Sequence, residues 1–161
     1  MSSFLPQKPM DESQPELAFD CMEAGHFSAA FQILSGLSPT DRVDVLFALG
    51  VCLFAAGDYA AAAGYFEQSL TALKRTRAEG ISAPKTAIYQ TLRKAEIARQ
   101  VYLKPFRLSF AEMFFEMTKE NIIIALAEAF LRCGNTDKAK LLVNSLHGDE
   151  FGELKARINA I

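Results

Sequence analysis

The sequence has no tryptophan, three cysteines, two histidines and six prolines. Cys21, Cys52 and Cys133 lie far apart with no Cys-x-x-Cys pair, and His26 and His147 stand alone. A zinc site draws its ligands from short paired spacings, and a nucleophilic cysteine needs a base beside it, so neither is expected. The thiols read instead as three small buried side chains in a reducing cytoplasm. Glycine-rich phosphate loops, nucleophile elbows and metal-ligand spacings are missing, so the chain reads as a non-enzyme with no cofactor and no catalytic residue. Long apolar runs are missing too. The charge-free stretch from Val45 to Gly57 is 13 residues long before Asp58 ends it, short of the ~18 a membrane-spanning helix needs. The opening MSSFLPQKPMDESQP holds one lysine and no continuous apolar block, so no secretion signal is expected.

What is present is apolar. Half of the 161 residues are hydrophobic, 13 are phenylalanine, and the formal net charge is only −2. That composition supports one domain with a real core and excludes a disordered chain. The even global charge also argues against a generic nucleic-acid binder. After residue 15 the apolar residues recur at three and four positions, which predicts helix throughout. Breaks fall at Gly25-His26, Gly57-Asp58, Gly134-Asn135, Gly80 to Pro84 and Gly148-Asp149. Ser38-Pro39-Thr40-Asp41 reads as a cap, a first-turn proline and an acid at the third helical position. Residues 1–14, with Pro6 and Pro9, read as an extended arm ahead of one helical domain at 15–161.

The turns share a register. Gly25, Gly57 and Gly134 are followed at equal offsets by Ala30 and Leu34, Ala62 and Phe66, and Ala139 and Val143. Ala18, Gly50 and Ala127 precede those alanines by 12 residues each. Antiparallel helices joined by a short turn pack closely only where small residues face each other, so Gly50 should oppose Ala62, and likewise in the other copies.

This spacing resembles the tetratricopeptide repeat (TPR), a pattern of about 34 residues with a Trp, Leu-Gly, Tyr, Ala, Phe and Pro ladder. Over 43–74 the matching residues are Leu49, Gly50, Gly57, Tyr59, Ala62, Phe66 and Leu70, with Leu46 in the tryptophan place and Lys74 in the proline place. The resemblance implies an all-α, right-handed helical-repeat superhelix of about three to four TPR-like pairs. Its expected copies are 11–42, 43–76, a degenerate 77–118 and 119–147, closed by a capping helix at 149–161. Gly57 to Gly134 spans 77 residues, against about 68 for two repeat steps. The surplus is expected as a lengthened loop at Arg75 to Pro84, then a long helix to Lys104 and a second from Phe106 to Met117, divided by Pro105.

The resemblance also implies a groove lined by the first helix of each pair. Its positions here are Phe19 and Met22, then Phe47, Val51 and Phe54, then Ile124, Glu128 and Leu131. Apolar side chains of that size need a cover, which points to an apolar or amphipathic segment of another protein held in an adaptor-like or chaperone-like way. The alternative cover is the N-terminal arm or the last helix. Family members that grip acidic chaperone C-termini use Lys and Asn where this chain has Pro15 and Phe19, so that carboxylate clamp is missing. In length, arm, helix pairs and the ending Glu150–Lys155, the chain is similar to the chaperones of bacterial type III secretion translocators, which implies cradling of an apolar client.

Two further features bear on partners. Lys74 to Arg107 holds nine basic residues against Glu79 and Glu96, a local +7 that leaves −9 elsewhere. Arg75, Arg77, Arg93, Lys94 and Arg99 are its candidate patch. Arg93, Lys94 and Lys104 fall on one polar arc, while Arg99 falls among apolar positions and is expected either to pair with Glu96 or to reach into the groove. The patch is either a solvated helix face or a steering surface for acidic partners, with nucleic acid the weakest option. Asn121 to Ala127, after Phe114, Phe115 and Met117, is apolar nearly all round, so it is either central in the core or covered by another copy in a homodimer or self-associating scaffold.

Overall fold

Three turns in the chain repeat one hydrogen-bond pattern. Gly25, Gly57 and Gly134 take φ of 82°, 84° and 84°, a left-handed conformation that glycine adopts without a Cβ penalty. Each glycine N–H donates to the carbonyl three residues back, on Met22, Phe54 and Leu131. The following N–H reaches five back, to Cys21 at 2.7 Å, Leu53 at 3.0 Å and Phe130 at 2.8 Å. These bonds satisfy carbonyls that the ending helix leaves open. The next helix starts at once: the Asp58 and Asn135 side chains accept from the Ala61 and Lys138 amides, whereas His26 makes no side-chain cap bond.

The structure, a computed structural model, describes residues 11–38, 40–76 and 84–161. Its helices are α1 (Ser13–Glu23), α2 (Phe27–Ser35), α3 (Val43–Ala55), α4 (Tyr59–Arg75), α5 (Ala87–Ala98), α6 (Leu108–Met113), α7 (Phe115–Arg132), α8 (Thr136–Asn144) and α9 (Gly152–Asn159). Short 3-10 turns lie at Val101–Leu103 and Asp149–Phe151. Among the described residues there is no strand, and no helix is long and apolar enough to cross a membrane.

The glycine turns join the pairs α1–α2, α3–α4 and α7–α8, and the pairs stack through α2 on α3, α4 on α7 and α8 on α9. Ala18, Ala30, Ala62, Ala127 and Ala139 are fully buried between helices. A Cβ on Gly50 would lie 2.6 Å from the Phe66 ring, so the glycine makes room for Phe66. At the start of α3, the buried Ser69 hydroxyl donates to the Val43 carbonyl at 3.1 Å and pins α4 to α3.

The stack holds three pairs, not four, among the described residues. The expected pair at 77–118 does not form in line, because α7 packs directly on α4. Instead the chain leaves the stack after α4. The expected long helix stops at Ala98, since Gln100 turns left-handed at φ 57°, and Pro105 follows. The second expected helix breaks at Phe114, with φ −119° and ψ 56°, before α7 starts. Asn121 to Phe130 are all buried, since α7 lies between α4 and α8, so this apolar stretch is covered by its own chain without a second copy.

Other expectations change as well. The helix expected at Pro39 begins at Val43, because Arg42 is held extended, at ψ 123°, with its N–H on the Thr40 hydroxyl at 3.1 Å. Of the three thiols only Cys52 is buried, and burial pushes it up to about 11; Cys21 is half-buried and Cys133 exposed. Pro39, most of the arm and the loop at 77–83 lie outside the described residues.

Gly50→Ala is expected to cost about 1–3 kcal/mol, because the added methyl would force the fully buried Phe66 ring to shift. Gly64→Ala, in α4 with nothing within 4 Å of its Cβ, should be neutral or stabilising by about 0.5–1 kcal/mol. Urea unfolding of both variants checks the contrast, and equal effects would contradict this packing.

Candidate functional site

The first helices α1, α3 and α7 build an inner face that is apolar in sequence, and an apolar face must be covered. Phe19, Met22, Phe47, Val51, Ile124 and Glu128 are buried, with Phe47 at 0% exposure, while Phe54 and Leu131 are half-buried. The expectation of an open groove lined by these residues therefore fails for the first six. Among the described residues, Phe106 and Arg107 of the 101–114 segment cover Phe47 and Phe19, and Arg157 of α9 reaches Glu128.

The crossing segment is seated by three kinds of contact. Phe106 lies on Phe47 with ring centroids 4.8 Å apart, and Phe47 backs onto Phe66 at 5.2 Å. Lys104 and Arg107 are extended, with ψ of 139° and 155°, so the chain between them crosses without helical hydrogen bonds. The Leu108 N–H donates to Asp44 Oδ2 at 3.1 Å. Asp44 is fully buried, and it also accepts from Arg42 at 2.7 and 3.1 Å and from the Val45 amide at 3.0 Å. Arg42 bridges onward to Glu12 at 2.8 Å, and the hydrogen bonds to Asp44 hold its guanidinium more strongly protonated than usual.

Arg107 supplies the third contact. Its guanidinium sits 5.7 Å from the Phe19 ring centroid and faces Glu16 at 2.8 Å, Glu23 at 3.8 Å and Asp20 at 3.9 Å. The hydrogen bond to Glu16 is the main reason its pKa is raised. At the other end Tyr102 is buried beside α7, and burial pushes its phenol above the ordinary range, with the Glu128 charge adding to it. Glu128 is paired with Arg157 of α9. Arg132 covers Phe54 and Tyr59, at 5.2 and 5.3 Å from their ring centroids.

The basic segment is likewise rearranged. Arg93 is not on a polar arc but 2% exposed, bonded to Glu96 at 2.9 Å, Asn121 at 2.9 Å and Glu120 at 3.4 Å. Glu96 is thus taken by Arg93 rather than by Arg99. Lys85 joins Glu120 at 3.1 Å and Glu150, and Gln90 also reaches Glu150. Together they fasten α5 to α7 and to the turn before α9. Arg75, Lys94 and Arg99 are exposed, and Arg77 lies outside the described residues. Lys85, Arg93 and Arg107 are neutralised by acids from other elements, so the +7 of the linear sequence is not a +7 surface.

Phe106, Arg107, Leu108 and Asp44 were not among the candidate residues. A signal for them exists: an aromatic and an arginine directly after Pro105, where helix cannot run, opposite acids at 16, 20 and 23 that share one face of α1.

Residues 43–74, the α3–α4 pair, match the family model of the tetratricopeptide repeat. A search of curated proteins found no match to the chain. The chain therefore carries a tetratricopeptide repeat, a unit of protein–protein interaction modules.

Two outcomes follow. Asp44→Ala leaves the Leu108 N–H unpaired and should cost about 1–3 kcal/mol. Trypsin should also cut the variant faster at Arg107, and an unchanged cleavage rate would show that Asp44 does not seat the segment. At Glu150, burial works to raise the pKa, but the Lys85 hydrogen bond, a backbone hydrogen bond and the charges of Lys85 and Arg93 together outweigh it, and the carboxyl stays below its usual range. Its folded pKa lies below the unfolded one, so its stabilising effect is present at neutral pH and fades as pH falls through the carboxylate range. Thermal melting of the wild type between about pH 3 and 7 should show this loss, and Glu150→Gln should flatten it.

Proposed function

We propose that the protein is a non-enzymatic interaction module, adaptor-like or chaperone-like, that holds an extended segment of a partner protein on the face of α1, α3 and α7. Residues 101–114 occupy that face when the partner is absent. The observation that carries this reading is the extended run between Lys104 and Arg107, with Phe106 on Phe47 and a main-chain amide on Asp44. A face that seats one extended chain through a ring, a buried carboxylate and an acidic edge has the chemistry to seat another. In its chaperone form the same activity would shield an apolar client segment, in the reducing compartment that free cysteines suit.

A self-associating scaffold is the second reading, and α5 supports it. Ile88 and Leu92, four residues apart, are 75% and 59% exposed and form an outward apolar stripe. Binding of acidic partners or nucleic acid through the basic segment has less support, since Arg93 is buried and Lys85 and Arg107 are paired.

Site-specific photo-crosslinkers separate these. Placed at Phe54 or Leu131, on the half-buried rim, they should capture a partner protein in the source cell. Crosslinks confined to Leu92 and joining two copies of the chain would favour the scaffold and contradict the inner-face reading.

A further inference from the structure

The resident segment shows which features a competing segment must have, and the acidic edge of α1 shows what the resident lacks. Phe106 fills the ring site on Phe47. Asp44 accepts the Leu108 amide, a main-chain contact any sequence can make. Arg107 then faces three carboxylates, Glu16, Asp20 and Glu23. Among the described residues no other cation forms an ion pair with them, so there one guanidinium faces three carboxylates along a single helix edge. A segment with a second basic residue beside the first would answer that edge better than the resident does.

We propose that the partner is an extended protein segment in which an aromatic residue is followed directly by basic residues, and that it binds by displacing residues 104–110 from the inner face. This rests on the inner-face reading above. The resident segment lowers the partner's apparent affinity by the fraction of molecules in which it is seated. Its hold is uneven. Arg107 sits at the protein rim, where ion pairs contribute little, while α5 is fastened by the buried Arg93. The segment can therefore lift at its Phe106 end while its α5 end stays attached.

The test uses the full chain and two labelled synthetic peptides read by fluorescence anisotropy: Leu-Lys-Pro-Phe-Arg-Arg-Ser-Phe, and the same peptide with both arginines replaced by glutamate. The arginine peptide should bind the Phe106→Ala, Arg107→Ala variant about tenfold more tightly than wild type, or more. That binding should weaken with salt, and Glu16→Gln, Asp20→Asn and Glu23→Gln together should weaken it about tenfold. Circular dichroism establishes that each variant is folded. If the double variant does not fold, Arg107→Ala alone, which removes the ion pairs to α1 and the contact over the Phe19 ring but keeps Phe106, should still bind more tightly than wild type. Equal binding of the two peptides overturns the basic-segment proposal and leaves the inner-face reading standing. A folded variant that binds neither peptide overturns both. A variant that dimerises in light scattering and excludes the peptide identifies a second copy as the occupant and also overturns the proposal.

Discussion

The contact between Phe106 and Phe47 is the one on which the functional reading depends. Phe47 is shared by two surfaces: one side meets Phe66 within the α3–α4 pair, and the other would face water without Phe106. Burying a side chain of that size is worth about 1.5–3 kcal/mol, and Phe19, Val51 and Ile124 lie on the same face, so leaving it bare is expensive. The chain answers by sending its own residues 101–114 across the first helices. Extended backbone placed on an apolar face would strand its amides, and Asp44 relieves this by accepting the Leu108 N–H.

The two ends of the crossing are held by different chemistry. At the α5 end Arg93 and Lys85 engage Glu120, Asn121 and Glu150 in a largely buried network, whose loss would leave uncompensated charge inside the protein. At the α1 end Arg107 engages carboxylates that are themselves exposed, where solvent screens the attraction. One anchor is durable and the other is weak. Such asymmetry favours partial opening over complete release, with the lowest local stability between Phe106 and Met113.

The repeat was legible in the sequence because its physics is local. A left-handed glycine, an aspartate or asparagine cap and a small residue at fixed offsets each act within one helix pair, so Gly57, Asp58 and Gly50 could be read without knowing what lies beside them. The inner-face residues were also placed on the right helices, but their burial was not legible. Burial of Phe19 and Phe47 depends on Arg107 and Phe106, which arrive from far along the chain. The same reason accounts for Arg93. Helical spacing put it on a polar arc beside Lys94, but its partners Glu120 and Asn121 sit on α7, 27 and 28 residues further along the chain. Counting charge along the segment from Lys74 to Arg107 could not anticipate that three of its cations meet acids from other helices.

Residues 104–110 are proposed above as a displaceable occupant of an otherwise finished fold. Hydrogen exchange followed by mass spectrometry on the wild-type chain tests this most directly. Amides of 104–113, Leu108 among them, should exchange through a local opening while α3 and α7 remain protected. Exchange of 104–113 only at the rate of α3 and α7 would mean that the segment leaves the inner face solely on global unfolding, which would contradict the proposal.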